Sequence, residues 1–330
     1  MWTMKLFNCS MSDNAPTVDS YVDVGPSNPH QIRLSIALVT RNRPESLERT
    51  LQSLRAQSIQ PWEVIVSDDS DEQNAAVVAM VAERYNAQYI RGPQCGLYAN
   101  RNHIALACHG THIRTMDDDH EFPDGHVAHC LDAISTDSDA VWVIGEYLHG
   151  QLPATTPPPI PGQLHPRGFS EPPTDYNHYW GISDGASIYP RHIFDRGIRY
   201  ADDFKFGAAY LEFGSRLYWL GYRIKLLDST FVIHHYDPAS RSFLNQEIDV
   251  SSRFFAMLCH SFIYQPTTKN KLLCSLEIIR QVVLHGRIAR PSLVNALQAF
   301  KKQARVCQRS SAYADYITRT TDHSGYRGIA

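Results

Sequence analysis

An α/β sandwich on a mostly parallel sheet, followed by a helical C-terminal extension, is the architecture expected of this 330-residue chain. Three features point to it. Apolar, β-branched runs alternate with helical patterns from Leu34 onward. Two of those runs end directly in acidic clusters, and the stretch from about Ala239 to Cys307 reads as helix after helix.

The first run, LSIALVT from Leu34, reads as a buried strand. Pro44 suits the opening turn of a helix, on which Leu47, Leu51 and Leu54 share a face at i, i+4, i+7. Pro61 breaks the chain before a second strand, Val64–Ser67, which runs into Asp68-Asp69-Ser70-Asp71. A helix with Val77, Val81 and Tyr85 on one side follows, then a short strand at Gln88–Ile90. After the Gly92-Pro93 turn, GLYANRNHIALACHG reads as helix, and the strand His112–Met116 ends in Asp117-Asp118-Asp119. The turn Pro123-Asp124-Gly125 leads to a helix with Val127, Leu131 and Ile134 on one face, then to a strand at Val141–Ile144. Residues 149–175 are too rich in proline for helix or interior strand, so they form a lid or a surface excursion. Alternation resumes from Ala186 to Tyr236.

Composition narrows the function. At 43% hydrophobic and 20% charged residues the chain is globular, not disordered. A formal net charge of −3 speaks against a nucleic-acid partner. Seven dispersed cysteines without a C-x-x-C pair read as reduced thiols. The N-terminus lacks a secretory apolar core, and no run reaches the roughly 18 apolar residues of a membrane span. A cytoplasmic location follows as the expectation.

Both acidic clusters follow strands, and ligands of open parallel sheets bind beyond the strands' carboxyl ends, so both are expected to line one crevice. Asp117 and Asp119, two apart on a tight turn, can reach one hard cation, Mn²⁺ or Mg²⁺, that keeps positions open for phosphate oxygens. Read alone, the same pair is equally a solvated turn or a helix cap. Asp68 and Asp69 can accept from a sugar hydroxyl or a base N–H, and the planar fork of Arg101 can clamp a phosphate.

Taken together, SIALVTRNRPESLERTLQSLRAQSIQPWEVIVSDDSDE and YANRNHIALACHGTHIRTMDDDHEFPDG resemble a family 2 glycosyltransferase of the GT-A fold. The first strand ends in Thr40-Arg41-Asn42-Arg43, the second in Asp68-Asp69-Ser70, a helix carries Ala99-Asn100-Arg101-Asn102, and a D-x-D strand end follows. Further on, YLEFGSRLYWLGYRIKLLDSTFVIHHY is similar to the family's acidic motif, its R-L-x-x-x-G-Y-R-I run and its late histidine. The likeness spans roughly Leu34 to His235. It implies a nucleotide pocket of Thr40, Asn42, Arg43, Asp68, Asp69 and Arg101, metal ligation by Asp117 and Asp119, and a further contact from His234 or His235. It also implies inverting transfer of one sugar from a nucleotide-diphosphate sugar, a UDP-sugar foremost, to an acceptor hydroxyl. Three departures stand out: Arg41 replaces an aromatic residue, Ser70 a glycine, and Ala209-Tyr210 the acidic pair, leaving Glu212 as the surviving carboxylate. Glu212 is therefore the first candidate for general base. Asp184, in WGISDGAS with glycines nearby that would let a substrate approach, is the second, and Asp202-Asp203 a weaker third.

The expected organisation is an N-terminal arm (1–30), a GT-A domain (31–240) and a helical C-terminal region (241–330). The GT-A domain divides into a nucleotide-sugar half (31–148), the Pro-rich loop (149–175) and an acceptor half (176–240). Tyr176, Tyr179 and Trp180 offer aromatic faces to a sugar or simply pack the core. The C-terminal helices set Lys269, Lys271, Arg280, Arg287, Arg290, Lys301, Lys302, Arg305 and Arg309 against a single Glu277. That surface suits anionic lipid near a lipid-linked acceptor at the inner face of the membrane, and equally reads as the solvated basic face of a helical cap or a homodimer contact. Two rival readings are a metallohydrolase using Asp117, Asp119, His120, His126 and His129, and a nucleotide-sugar-binding protein of the same fold with weakened chemistry.

Overall fold

β1 (Leu34–Thr40) is buried at all seven positions, as a central strand of a parallel sheet must be. The computed structural model, which describes residues 31–150, 158–236 and 246–309, sets it between β2 (Glu63–Asp68) and β4 (His112–Asp117), parallel to both. β3 (Gln88–Arg91) extends the parallel set beyond β2. On the other side the sheet becomes mixed. β9 (Ser187–Pro190) runs antiparallel between β4 and β6 (Val141–Leu148), and β10 (Ile224–His234) pairs parallel to β6 across an irregularity between Leu227 and Phe231. β5 (His120–Glu121) closes the far edge antiparallel to β10.

That last pairing shapes the molecule. Only Asp118 and Asp119 separate β4 from β5 in the chain, yet β9, β6 and β10 lie between them in the strand order. The sheet therefore curls until the end of β10 returns to the end of β4.

One face of the sheet is covered by α1 (Pro44–Arg55), α2 (Glu72–Arg84) and α4 (His126–Thr136), packed over Leu34, Ile36, Leu38 and Ile188. The other carries α3 (Leu97–Ala107), the single turn α5 (His192–Asp195) and α6 (Ala209–Trp219) over Ala37, Val39, Ile113 and Tyr189. Helix α2 buries Ala75, Val78, Val81 and Ala82 and leaves Val77 exposed. Of the expected stripe, Val81 is buried and Tyr85 packs against the core, while Val78 takes the inward place expected of Val77. Within the Pro-rich stretch, Gln163–Leu164 (β7) and Ser170–Glu171 (β8) form a two-stranded hairpin.

A third core joins α7 (Gln246–Cys259), the π-helical turn His260–Tyr264, α8 (Thr268–Leu284) and α9 (Gly286–Arg309) around Phe254, Phe255, Met257 and Ala296. Cys108, Cys130, Cys259, Cys274 and Cys307 are buried thiols. No helix among the described residues is long and apolar enough to cross a membrane. The arm expected at 1–30, residues 151–157 of the Pro-rich stretch and the tail from 310 lie outside the described residues.

Candidate active site

Strand register gathers the acidic clusters. Thr40 pairs with Asp68 and Val39 with Asp117, so the ends of β2 and β4 flank the end of β1, each one strand spacing (~4.8 Å) away. The Asp69 backbone N–H donates to the Thr40 carbonyl at 3.0 Å, and Thr40 Oγ1 donates to Asp118 Oδ2 at 2.6 Å. Asn42 takes a left-handed conformation (φ 56°), and its N–H donates to Ser70 Oγ at 2.7 Å. Ser70, the departure from glycine, thereby ties the two loops together. Asp69 Oδ1 accepts from the Gln94 N–H at 2.9 Å, and a side chain at Gly92 would collide with that same oxygen. Burial pushes the Asp69 carboxyl up, against the opposing pull of the Gln94 and Gly96 backbone N–H groups.

Asp68 belongs elsewhere. It is fully enclosed, paired with Arg91 at 3.0 Å and accepting from Tyr89 Oη (3.0 Å) and the Ser70 N–H (2.8 Å). The expected cleft-facing role is corrected to that of a brace between β2 and β3, since its oxygens are already occupied inside the protein.

Beyond β4 a second group forms. Asp119, His120 and His234 bring donor atoms within 4.8 Å of one another. His234 Nε2 lies 3.6 Å from Asp119 Oδ2, and His120 Nε2 3.9 Å from Asp119 Oδ1. Glu146 joins from β6, its Oε2 being 3.1 Å from His234 Nδ1 and 3.6 Å from His120 Nε2. Asp119 Oδ1 and His120 Nδ1 are buried without a hydrogen-bond partner. Burial lowers His234, but its contacts with Asp119 and Glu146 outweigh burial and hold the imidazolium up to about 10. Asp119 is driven well below the carboxylate range: burial opposes this, but the His234 hydrogen bond and the charges of His120 and Arg43 prevail. Arg43, about a third of its side chain exposed, pairs with Asp119 (3.0 Å) and with Asp118. A carboxylate with two imidazoles and buried unpaired acceptor atoms fits a divalent cation, which would displace the proton held by His234, and the mixed N/O set suits Mn²⁺ better than Mg²⁺. A cleft of about 750 Å³ lined by Arg43, Arg49, His149 and His235 opens beside His234.

Asp117 turns the other way. Arg101, itself 1% exposed, holds both Asp117 oxygens through Nη2 (2.8 and 3.0 Å) and Asp184 Oδ1 through Nη1 (2.8 Å). Gly185, at φ 102°, abuts this group, and a Cβ there would strike Asp117 Oδ2. The glycine beside Asp184 therefore admits Asp117, where the sequence suggested a substrate. Asp184 keeps about a quarter of its side chain exposed, and burial raises its carboxyl despite Arg101. Two assignments change here. Arg101 is a carboxylate bridge, because its fork is engaged by two acids, and Asp117 is not part of the Asp119–His120–His234 cluster.

Glu212 is the larger correction. It is fully buried in α6, paired with Arg216 (3.0 Å) and accepting from Tyr264 Oη, so no acceptor hydroxyl can meet it. Asp202 and Asp203, the weaker candidates, face Lys302 of α9. His235 bonds Glu121 at 2.7 Å and stacks on His149, so of the late His-His pair it is His234 that joins Asp119 and His120. His126 is buried against Thr230 (2.9 Å), which removes it from the metallohydrolase set. Tyr179 and Trp180 donate to the Pro161 and Leu164 carbonyls, fastening the Pro-rich segment, and Tyr176 alone of the aromatic trio is exposed. Glu146 escaped the sequence reading. Its one local signal is a charged residue two positions after Ile144 in an otherwise apolar strand.

The class of protein follows from the sequence match: residues 35–198 fit the model of glycosyl transferase family 2, so the chain carries a glycosyltransferase domain of that family. Among known proteins it resembles the uncharacterized glycosyltransferase YwdF of Bacillus subtilis (strain 168), with 26% identity over 231 residues, 67% of this chain and 80% of that protein. Among solved structures, S. aureus TarS 1–349 in complex with UDP is similar at a TM-score of 0.54 and 15% identity, covering 91% of this chain and 94% of that one. GalNAc-T7 with UDP, GalNAc and Mn²⁺ gives 0.58 at 13% identity, covering 76% and 55%. The chain spans 44% of a longer TarS structure. At such identities these structures share the fold.

Proposed function

We propose that the chain transfers a single sugar, with inversion, from a nucleotide-diphosphate sugar to an acceptor hydroxyl, aided by a bound Mn²⁺ or Mg²⁺. The observation that carries this reading is the meeting of Asp119, His120 and His234 at the same rim as Asp69 and the Arg101-bridged pair. UDP and UDP-GlcNAc in solved structures of like fold support a UDP-sugar donor.

Asp69 and the Asn42–Ser70 loops would receive the nucleoside, and Asp119, His120 and His234 would hold the cation. When bound, the cation neutralises charge on the departing diphosphate. Asp184 takes the acceptor's proton: it is the partly exposed carboxylate of the bridge, and its raised basicity favours that role. Arg101 keeps Asp184 and Asp117 at fixed separation, so the base meets the acceptor in one orientation. A single displacement with one base inverts the anomeric carbon. Buried thiols support a reducing, cytoplasmic setting.

The test is hydrolysis of UDP-sugars, followed by UDP release, with Mn²⁺ and with chelator. Release that depends on Mn²⁺ supports the reading; no release from any nucleotide sugar in either condition leaves instead a protein that binds without transfer. That second reading draws on one observation, the Ala209-Tyr210 pair where the resemblance calls for acids.

A further inference from the structure

Helix α8 is seated on the protein by a narrow strip: Cys274 and Glu277 are its buried residues. On the opposite side Leu272, Leu276, Ile279 and Val283 fall within a stripe about 60° wide at 100° per residue. All four are between 54% and 75% exposed. Lys269 and Arg280 border the stripe on one margin and Lys271 on the other. Helix α9 repeats the composition on its own outer row, with Val294 and Leu297 exposed between Arg290 and Lys301. Four aligned, exposed aliphatic chains are not what a solvated face carries.

Charge decides what covers them. Residues 268–309 hold nine Lys and Arg against Glu277, a surplus of eight on a chain whose formal total is −3, so the remaining residues stand at −11. A second copy laid on this face would oppose two strongly basic surfaces. A nucleic acid would meet the cations but leave the aliphatic stripe in water. The surface of an anionic bilayer satisfies both: aliphatic side chains enter the acyl boundary while the flanking cations meet lipid phosphates. We propose that the outer face of α8 is a docking surface for anionic lipid membranes, acting independently of the reaction in the cleft.

Sedimentation of the full chain with vesicles tests this, using phosphatidylcholine alone and phosphatidylcholine mixed with phosphatidylglycerol. The chain is expected to pellet with the mixed vesicles at low salt and to remain in solution with the neutral ones. The double variant Leu276→Glu/Ile279→Glu should lower partitioning by at least about tenfold, and Lys269→Glu/Lys271→Glu by roughly fivefold per residue. These positions are exposed, so circular dichroism and melting should be unchanged. No pelleting with the anionic vesicles, or equal pelleting of the Leu276/Ile279 variant, overturns the proposal. So does a dimer in light scattering that the same variant dissolves, which would give the stripe to a second copy. UDP-sugar hydrolysis without vesicles reads the cleft alone and should match between wild type and variants, so failure of docking and failure of the catalytic reading are told apart.

Discussion

Asp184 and Glu212 are both buried-side carboxylates paired with an arginine, and their surroundings give them different work. Asp184 keeps about a quarter of its side chain exposed, whereas Glu212 is closed in by Arg216 and Tyr264. Asp184→Asn removes the proton acceptor but keeps the shape, so transfer should fall by roughly 10²–10⁴ with melting temperature and nucleotide affinity retained; turnover near that of wild type would exclude Asp184 as base. Glu212→Gln strips one charge from an enclosed pair, a change that costs about 3–5 kcal/mol. It should appear as a drop in melting temperature. Loss of transfer with unchanged stability would return the base to Glu212. Both residues were visible as candidates in the sequence. Their order was not, because an acid in a helical motif looks the same from its neighbours whether its carboxylate meets water or Tyr264, 52 residues away.

Among the elements, α8 adds one buried carboxylate to its apolar contacts at Cys274, Ile278 and Val282. Glu277 accepts from Arg280 (2.6 Å), Gln281 (2.8 Å) and, across from the β7–β8 hairpin, Arg167 (3.0 Å). The Arg280 hydrogen bond, with those of Gln281 and Arg167, overcomes burial and lowers its carboxyl to about 2. An unfolded Glu titrates near 4.3, so the contribution is complete above that pH and is lost as pH falls through about 2. Both arginines are nearly half exposed, which screens the interaction to about 1–2 kcal/mol. Glu277→Gln should therefore melt lower than wild type at pH 6, the gap closing toward pH 2; a gap independent of pH would show that shape, and not charge, holds the helix. The helix was legible from its periodicity. Which side it buries was not, since its stripe of Leu272, Leu276, Ile279 and Val283 reads as a core face and lies outside.

For the molecule as a whole, the curl of the sheet assembles the site. β10 would end far from β4 in a flat sheet; curled, it sets His234 opposite His120 and beside Asp119. Cation and nucleotide should consequently act together. UDP with Mn²⁺ at 100 times its dissociation constant stabilises a folded protein by about 2.7 kcal/mol, a shift of several degrees in melting temperature. UDP with chelator should give little shift, and Asp119→Asn should abolish the difference. Equal stabilisation with and without Mn²⁺ would remove the cation from Asp119, His120 and His234.

Local chemistry determined much of this protein by itself. The apolar runs, the prolines before helices and the acids after strands set the elements, the edge of the sheet on which the acidic clusters gather and the family resemblance. Tertiary structure alone decided which acid of the Asp117-Asp118-Asp119 turn gathers with His120 and His234, that Arg101 bridges carboxylates, that Glu146 joins that cluster and that Glu212 lies apart from it. The reason is physical. Periodicity specifies the face on which a side chain lies, but its partner is set by strand order and curl, which bring together residues more than a hundred positions apart such as His120 and His234.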